Sequence, residues 1–266
     1  MRNVTSQYVE PVTAEAAVGP LGNADCPWDE FDSNWYVKHN YHVLRQDDRA
    51  IIHDLAEYFA GKASGRKWHG IDVGSGTNLY PALAMLPLTE SITLWEHSAA
   101  NVRWLEHGVR PYSQSWDQYW DALCTDETVY QRVRRPRSLL PVMTKIEQAS
   151  IYELPVAMWD IGTMFFVAES ITGIRREFEL ATRKFLQSLK PGAPFAAAFM
   201  RNSAGYAVGD FRFPAVAVTE NDIRRVLSRY TADLRVRPIP SSDLRHGYDG
   251  MILALGTRGR GGGGKW

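Results

Sequence analysis

The run Trp68-His69-Gly70-Ile71-Asp72-Val73-Gly74-Ser75-Gly76-Thr77-Asn78-Leu79-Tyr80 constrains the fold of this 266-residue chain more than any other stretch. It reads as a short buried strand, a tight glycine turn and the start of a helix. Ile71 and Val73 are the strand's core residues. Gly74 and Gly76 let the backbone turn sharply and approach a ligand where a Cβ would stand in the way. Backbone N–H groups of the turn and the positive end of the next helix are then expected to face a polar ligand.

A second feature follows about twenty residues later, at the spacing of the ribose-binding acid in a nucleotide-binding βαβ unit. Ser91 to Trp95 read as the next strand, and Glu96 lies at its carboxyl end. A carboxylate there can accept hydrogen bonds from ribose hydroxyls. The third glycine of the dinucleotide fingerprint is absent, because Leu79 occupies its position. That disfavours NAD or FAD and suits S-adenosylmethionine, which carries ribose and adenine but no pyrophosphate. A strand–helix turn without a ligand is the plain alternative.

Other strands and helices alternate with this unit, which calls for an α/β fold with a parallel sheet. The third strand is expected within 142–151, the fourth and central one within 159–167, and the fifth over 195–200. Two more are expected over 234–239 and 251–255. Helices are expected over 46–59, 98–106, 175–189 and 220–230, with Asp32 or Ser33 and Thr219 as N-caps. Residues 116–130 read as one amphipathic aromatic helix, and 202–214 as a loop. The basic run Arg132 to Arg137 reads as solvated surface.

Domain organisation follows from these elements. Residues 1–27 form a flexible N-terminal arm and 28–258 a single domain. Within it, 28–60 make a helical lid and 108–142 an inserted helical segment. Residues 259–266 are expected to form a disordered glycine-rich tail.

Thirty basic side chains balance thirty acidic ones, so no nucleic-acid-binding surface is expected. No apolar run reaches transmembrane length, and the first ten residues lack a signal-peptide core, so no membrane partner is expected. The two cysteines have no metal-ligand spacing and fit a reducing cytoplasm. No metal is expected. Arginine far outnumbers lysine and alanine is abundant, a bias of GC-rich bacterial genes.

From about Phe31 to Leu255 the chain resembles the nicotinamide, phenylethanolamine and thioether methyltransferase family. Four stretches carry the resemblance. Tyr36-Val37-Lys38-His39-Asn40-Tyr41 is similar to the family's Tyr-Leu-x-x-[Tyr/Asn]-Tyr. Ile71 to Gly76 with Tyr80 is similar to Ile-Asp-Ile-Gly-Ser-Gly-Pro-Thr-x-Tyr. Phe166-Val167-Ala168-Glu169-Ser170 resembles the segment after strand four in the phenylethanolamine enzymes. Gly205 to Asp210 resembles their Trp-Tyr-Leu-Ala-Gly-Glu loop.

The resemblance implies a Rossmann-like class I methyltransferase fold. In it a seven-stranded, mostly parallel sheet carries helices on both faces and an N-terminal helical lid. It implies S-adenosylmethionine as cofactor, a small-molecule aromatic acceptor as partner, and a monomer. Tyr36, Asn40 and Tyr41 would close over the cofactor. Gly74, Ser75 and Gly76 would line its methionine part, with Tyr80 near the carboxylate. Glu96 would hold the ribose, and His97 and Asn101 the adenine end, with a further adenine-side contact near Glu147 and Gln148. Glu169 would meet the acceptor as the catalytic carboxylate together with Tyr36. Phe199, Ser203, Tyr206, His246 and Asp249 would bind the acceptor.

Departures from the family pattern bear on the substrate. Thr77-Asn78 replaces Pro-Thr, and Glu96 and His97 replace an Asp and an aromatic residue. Phe199 and Ser203 stand where the nicotinamide and phenylethanolamine enzymes carry acids, which counts against both those acceptors. Plain alternatives stand beside several roles. Tyr36 and Tyr41 also fit aromatic core, Glu169 a helix-start carboxylate, and His246, Tyr248 and Asp249 ordinary turn residues.

The expected activity is methylation of a small aromatic amine or an indole-containing metabolite, at nitrogen or indole C3, in specialised metabolism. S- or O-methylation of a small metabolite is the alternative within the class. A catalytically silent S-adenosylmethionine-binding module and an NAD-dependent oxidoreductase are the alternatives outside it.

Overall fold

The computed structural model describes residues 20–241 and 247–260. Its element order is α1 (Ser33–Asn40), α2 (Gln46–Ala60), β1 (Trp68–Val73), α3 (Tyr80–Met85), β2 (Thr89–Glu96) and α4 (Ala99–Gly108), then α5 (Asp117–Leu123), α6 (Thr128–Gln131), α7 (Pro136–Met143), β3 (Thr144–Gln148), β4 (Ile161–Phe165) and α8 (Arg175–Ser188), and finally β5 (Pro194–Met200), β6 (Tyr206–Val208), β7 (Phe211–Phe213), α9 (Glu220–Leu227), β8 (Arg235–Ile239) and β9 (Met251–Thr257).

Seven strands form one sheet in the order β3-β2-β1-β4-β5-β9-β8. The pairs among β1 to β5 are parallel, and β9 runs antiparallel to both β5 and β8. Strand order reverses between β1 and β4, so the loops after these two strands part to opposite faces and open a crevice at their carboxyl ends.

Side-chain alternation sorts the strands between two cores. Ala196 and Ala198 of β5 pack with α2, α3 and the α5–α7 segment on one face. Phe195, Ala197 and Phe199 pack with α8 and α9 on the other. The aromatic segment 112–130 supplies buried Tyr112, Trp116, Tyr119, Trp120 and Tyr130 to the first core, so it is a structural layer of the fold. It is not one helix: a 3₁₀ turn at Gln114–Trp116 precedes α5, and α6 starts again at Thr128.

Two caps fall where the sequence places them, and Ser98, expected as a helix residue, is a third. Asp32 accepts from the Trp35 amide, Ser98 from the Asn101 amide, and Thr219 forms a capping box with Asp222.

Two expectations are corrected. The arm does not extend to residue 27: the Gly173 amide donates to the Leu21 carbonyl at 2.8 Å, and the Asn23 amide to Glu177 at 2.9 Å. Residues 1–19 and 261–266 lie outside the described residues, as does most of the expected tail. The expected loop 202–214 contains the hairpin β6–β7. Its Phe213 stacks on Trp28 at 5.0 Å and on Tyr206 at 5.4 Å, forming with Phe31 a small third core that roofs the crevice.

Candidate active site

A cavity of about 800 Å³, counted out to its mouth, opens at the carboxyl ends of β1, β2 and β4. Its floor is the turn 74–78. Gly74 and Gly76 have φ of +63° and +50°, and an added Cβ on Gly74 would lie 2.6 Å from Val167. Both positive φ and close approach therefore require glycine at 74.

The turn's amides do not form an open anion cradle. Gly74 and Ser75 donate to the Trp95 carbonyl, Gly76 to Glu96, Asn78 to the Ser75 carbonyl and Tyr80 to the Asn78 side chain. Helix α3 begins only at Tyr80 and is six residues long. The expected helix-dipole site is thus absent from this turn, which suits a ligand lacking phosphates.

Glu96 ends β2 and is almost fully buried. One carboxylate oxygen accepts from the Gly76 amide and the other from the Ser98 amide, each at 2.8 Å. Burial raises its pKa, and hydrogen bonds from Ser98, Gly76 and Asn101 oppose the shift. Glu96 itself lines the cavity. Asn101 lines the same wall and accepts from Ser33 at 2.8 Å, which ties α1 to α4. Exposed His97 stands at the rim.

On the β3 side the lining is Ala149, Ser150 and Ile151, not Glu147 and Gln148; the Ser150 carbonyl accepts from the Trp95 indole. Two polar groups on lining residues, Thr77 Oγ1 and Asn78 Nδ2, are buried without a hydrogen-bond partner. Such groups cost free energy unless a ligand satisfies them.

A second cavity, about 1220 Å³ out to its mouth, adjoins the first. Tyr36, Phe166 and Tyr206 line both, so they form the shared wall. Phe166 has φ +61°, an unfavourable conformation for an aromatic residue, held by its amide bond to the Ala198 carbonyl at 2.7 Å. Trp35, His39, Asn40, Met200, Ser203 and Tyr248 line the second cavity. Tyr41 lines the first.

The anticipated site residues thus divide. Tyr36, Tyr41, Gly74, Ser75, Gly76, Glu96, His97 and Asn101 meet at the first cavity. Asn40, Ser203 and Tyr206 meet at the second, so Asn40 lines that cavity and not the one that holds Glu96. Four others are corrected. Tyr80 points into the first core, stacked on Tyr119 at 5.8 Å and donating to Asp48 at 3.2 Å. Phe199 faces Phe178 of α8, because alternation along β5 turns its neighbour Met200, not Phe199, towards the cavity.

Asp249 is exposed and held by Arg201 at 3.0 Å and Asn202 at 2.8 Å, away from both linings. Glu169 is fully buried behind the wall. Its Oε1 accepts from the Met200 amide at 2.8 Å and Ser170 Oγ at 3.1 Å, while Oε2 has no partner. Burial pushes its pKa up to about 7. His246 lies outside the described residues.

Asn23, Trp28, Phe31, Trp95, Val167 and Ile171 also line the first cavity and carry no sequence signature of their own. The aromatic crowding from Trp28 onward was the available signal for the N-terminal strap.

The comparisons decide the family. The model described as NNMT/PNMT/TEMT family matches residues 23–255. The chain belongs to this family. It is an S-adenosylmethionine-dependent methyltransferase, and the donor set fits that cofactor: a ribose-type acid, a phosphate-free turn and two unsatisfied polar groups. Phenylethanolamine N-methyltransferase of Sus scrofa is 26% identical over 247 residues, covering 84% of this chain and 85% of that one. The Homo sapiens protein of that name is 26% identical over 249 residues, covering 84% and 86%.

Among solved structures, Burkholderia thailandensis 1,6-didemethyltoxoflavin-N1-methyltransferase, with bound 1,6-didemethyltoxoflavin and S-adenosylhomocysteine, has a TM-score of 0.56 at 13% identity, covering 95% and 98% of the two chains. The N-methyltransferase NodS of Bradyrhizobium japonicum with S-adenosylhomocysteine has a TM-score of 0.50 at 12% identity, covering 86% and 93%. Both show the fold.

Proposed function

We propose that this enzyme methylates a small aromatic amine or an indole-containing metabolite in specialised metabolism. The observation that carries the reading is the second cavity. It shares a wall of Tyr36, Phe166 and Tyr206 with the first and is also lined by Trp35 and Tyr248. Aromatic side chains bind a flat acceptor by stacking and edge contacts. The amine N-methyltransferases similar over most of this chain support nitrogen as the methylated atom. Indole C3 is the second reading, supported by the same aromatic lining. Unpaired Cys26 and Cys124 support a cytoplasmic setting.

Within this reading Glu96 would hold the ribose, Thr77 and Asn78 the polar methionine end, and His97 with residues 149–151 the adenine. When bound, S-adenosylmethionine supplies an electrophilic methyl group. The protein's contribution is to line up acceptor and methyl carbon and to keep water out. Tyr36 and Tyr206, between the two cavities, would orient the acceptor. Glu169 would act from behind the wall, fixing Ser170 and Met200 through its Oε1 bonds.

The test is transfer from methyl-labelled S-adenosylmethionine to a panel of arylalkylamines, anilines and indoles, with the product's methylated atom located by NMR. Transfer to nitrogen or indole C3 is expected. Turnover confined to thiols or alcohols, or no turnover despite S-adenosylhomocysteine binding, would refute the proposal.

A further inference from the structure

The second cavity must also deal with protons, because a basic amine is an ammonium at neutral pH and has no lone pair to methylate. Among the described residues, the titratable side chains that line it are Tyr36, His39, Arg45, Tyr206 and Tyr248. Arginine stays protonated and phenols hold their protons at neutral pH. Burial pushes Tyr206 still further up. Glu169 does not line the cavity, and Asp249 is committed to Arg201 and Asn202. Among these side chains the imidazole alone carries, in its neutral form, a ring nitrogen with a free lone pair.

His39 is also held for the task. Its Nδ1 lies 2.7 Å from the Trp35 carbonyl oxygen. A carbonyl only accepts, so Nδ1 carries the hydrogen and Nε2 carries the lone pair in the neutral ring. The ring stacks on the Trp35 indole, with centroids 3.8 Å apart and planes 21° apart. Its exposure lets it pass a proton on to water. The charged and titratable groups around it are Lys38, His42, Arg45 and Asp47 on its own side and Tyr206 and Tyr248 across the cavity.

Resting on the amine reading above, we infer that His39 is the base that deprotonates the acceptor, so that the enzyme can take amines that arrive as ammonium ions. The ammonium's proton passes to the Nε2 lone pair. The neutral nitrogen's lone pair then forms the N–C bond to the methyl group as the C–S bond breaks, its electron pair staying on sulfur. The imidazolium releases its proton to solvent.

The test compares wild type with His39→Gln and His39→Ala as kcat/KM against pH, using 2-phenylethylamine or tryptamine as basic acceptors and aniline as a neutral one. Loss of about 10²-fold is expected at neutral pH with the basic amines. That loss should shrink as pH rises and solvent supplies the free base, and aniline, which arrives neutral, should lose several-fold less than the basic amines. Added imidazole should restore His39→Ala in part. An equal loss at every pH and with every acceptor would make His39 structural, and no loss would remove it from the reaction; either overturns the assignment. Wild-type protein that binds S-adenosylhomocysteine but methylates no amine at any pH would instead sink the amine reading, and His39's role with it.

Discussion

Glu169→Gln isolates the energetic consequence of burying a carboxyl group without a cation. In the fold its Oε1 receives the Met200 amide and Ser170 Oγ, and Oε2 receives nothing. Glutamine keeps an acceptor at Oε1 and places a neutral amide at Oε2. The carboxyl's pKa rises from its usual 4.5 to about 7 because burial penalises the charge. With the folded value above the unfolded one, the retained proton contributes stability fully below pH 4.5, and that contribution is lost as pH rises through about 7.

Integrated between about pH 5 and about pH 8.5, the loss comes to about 2.5 kcal/mol. Asp72, also pushed up to about 7, tilts wild type and variant alike and cancels in their difference. Urea unfolding of both proteins across this range is the assay, with midpoints compared at matched slopes. Stability of the variant relative to wild type should grow by about that amount towards alkaline pH. A flat difference would mean that Glu169 is already ionised or solvated, and the reading of an unpaired acid buried behind the shared wall would be wrong.

Glu96→Ala removes the acceptor for two backbone amides and the expected ribose contact. Calorimetric titration with S-adenosylhomocysteine should show a loss of about 10²-fold, the worth of one or two charge-assisted hydrogen bonds; unchanged affinity would leave Glu96 as a purely structural acid. Gly74→Ala forces a Cβ to 2.6 Å from Val167 at φ +63°. It should abolish measurable cofactor binding, and wild-type affinity would refute the account of the turn. Phe199→Ala opens the α8 core and should destabilise the fold by about 3–5 kcal/mol in denaturant. A stability change below about 1 kcal/mol with altered acceptor preference would return Phe199 to the substrate site.

Local pattern carried much of the architecture. The strand–turn–helix at 68–80, the acid at 96 and the alternation of strands with helices are short-range signals, and they stand where the sequence places them. The caps at Asp32 and Thr219 are equally local. What went astray depends on side-chain direction. Phe199 and Met200 are sequence neighbours, yet pleating sends one to α8 and the other to the second cavity. Tyr80 follows the glycine turn as the family pattern asks, but Asp48 and Tyr119, from elements distant in sequence, draw its ring into the core.

The sequence by itself therefore determined the class of fold and the cofactor, because the glycine turn, the acid that follows it and the alternation of strands with helices are local patterns of conformation and spacing. Only the tertiary structure decided which residues line the second cavity. The strap 20–31, the hairpin β6–β7 and the shared wall of Tyr36, Phe166 and Tyr206 come together from segments up to about 190 residues apart along the chain. Such contacts are selected by packing the roof onto the sheet, and no periodicity or motif within any one segment encodes them.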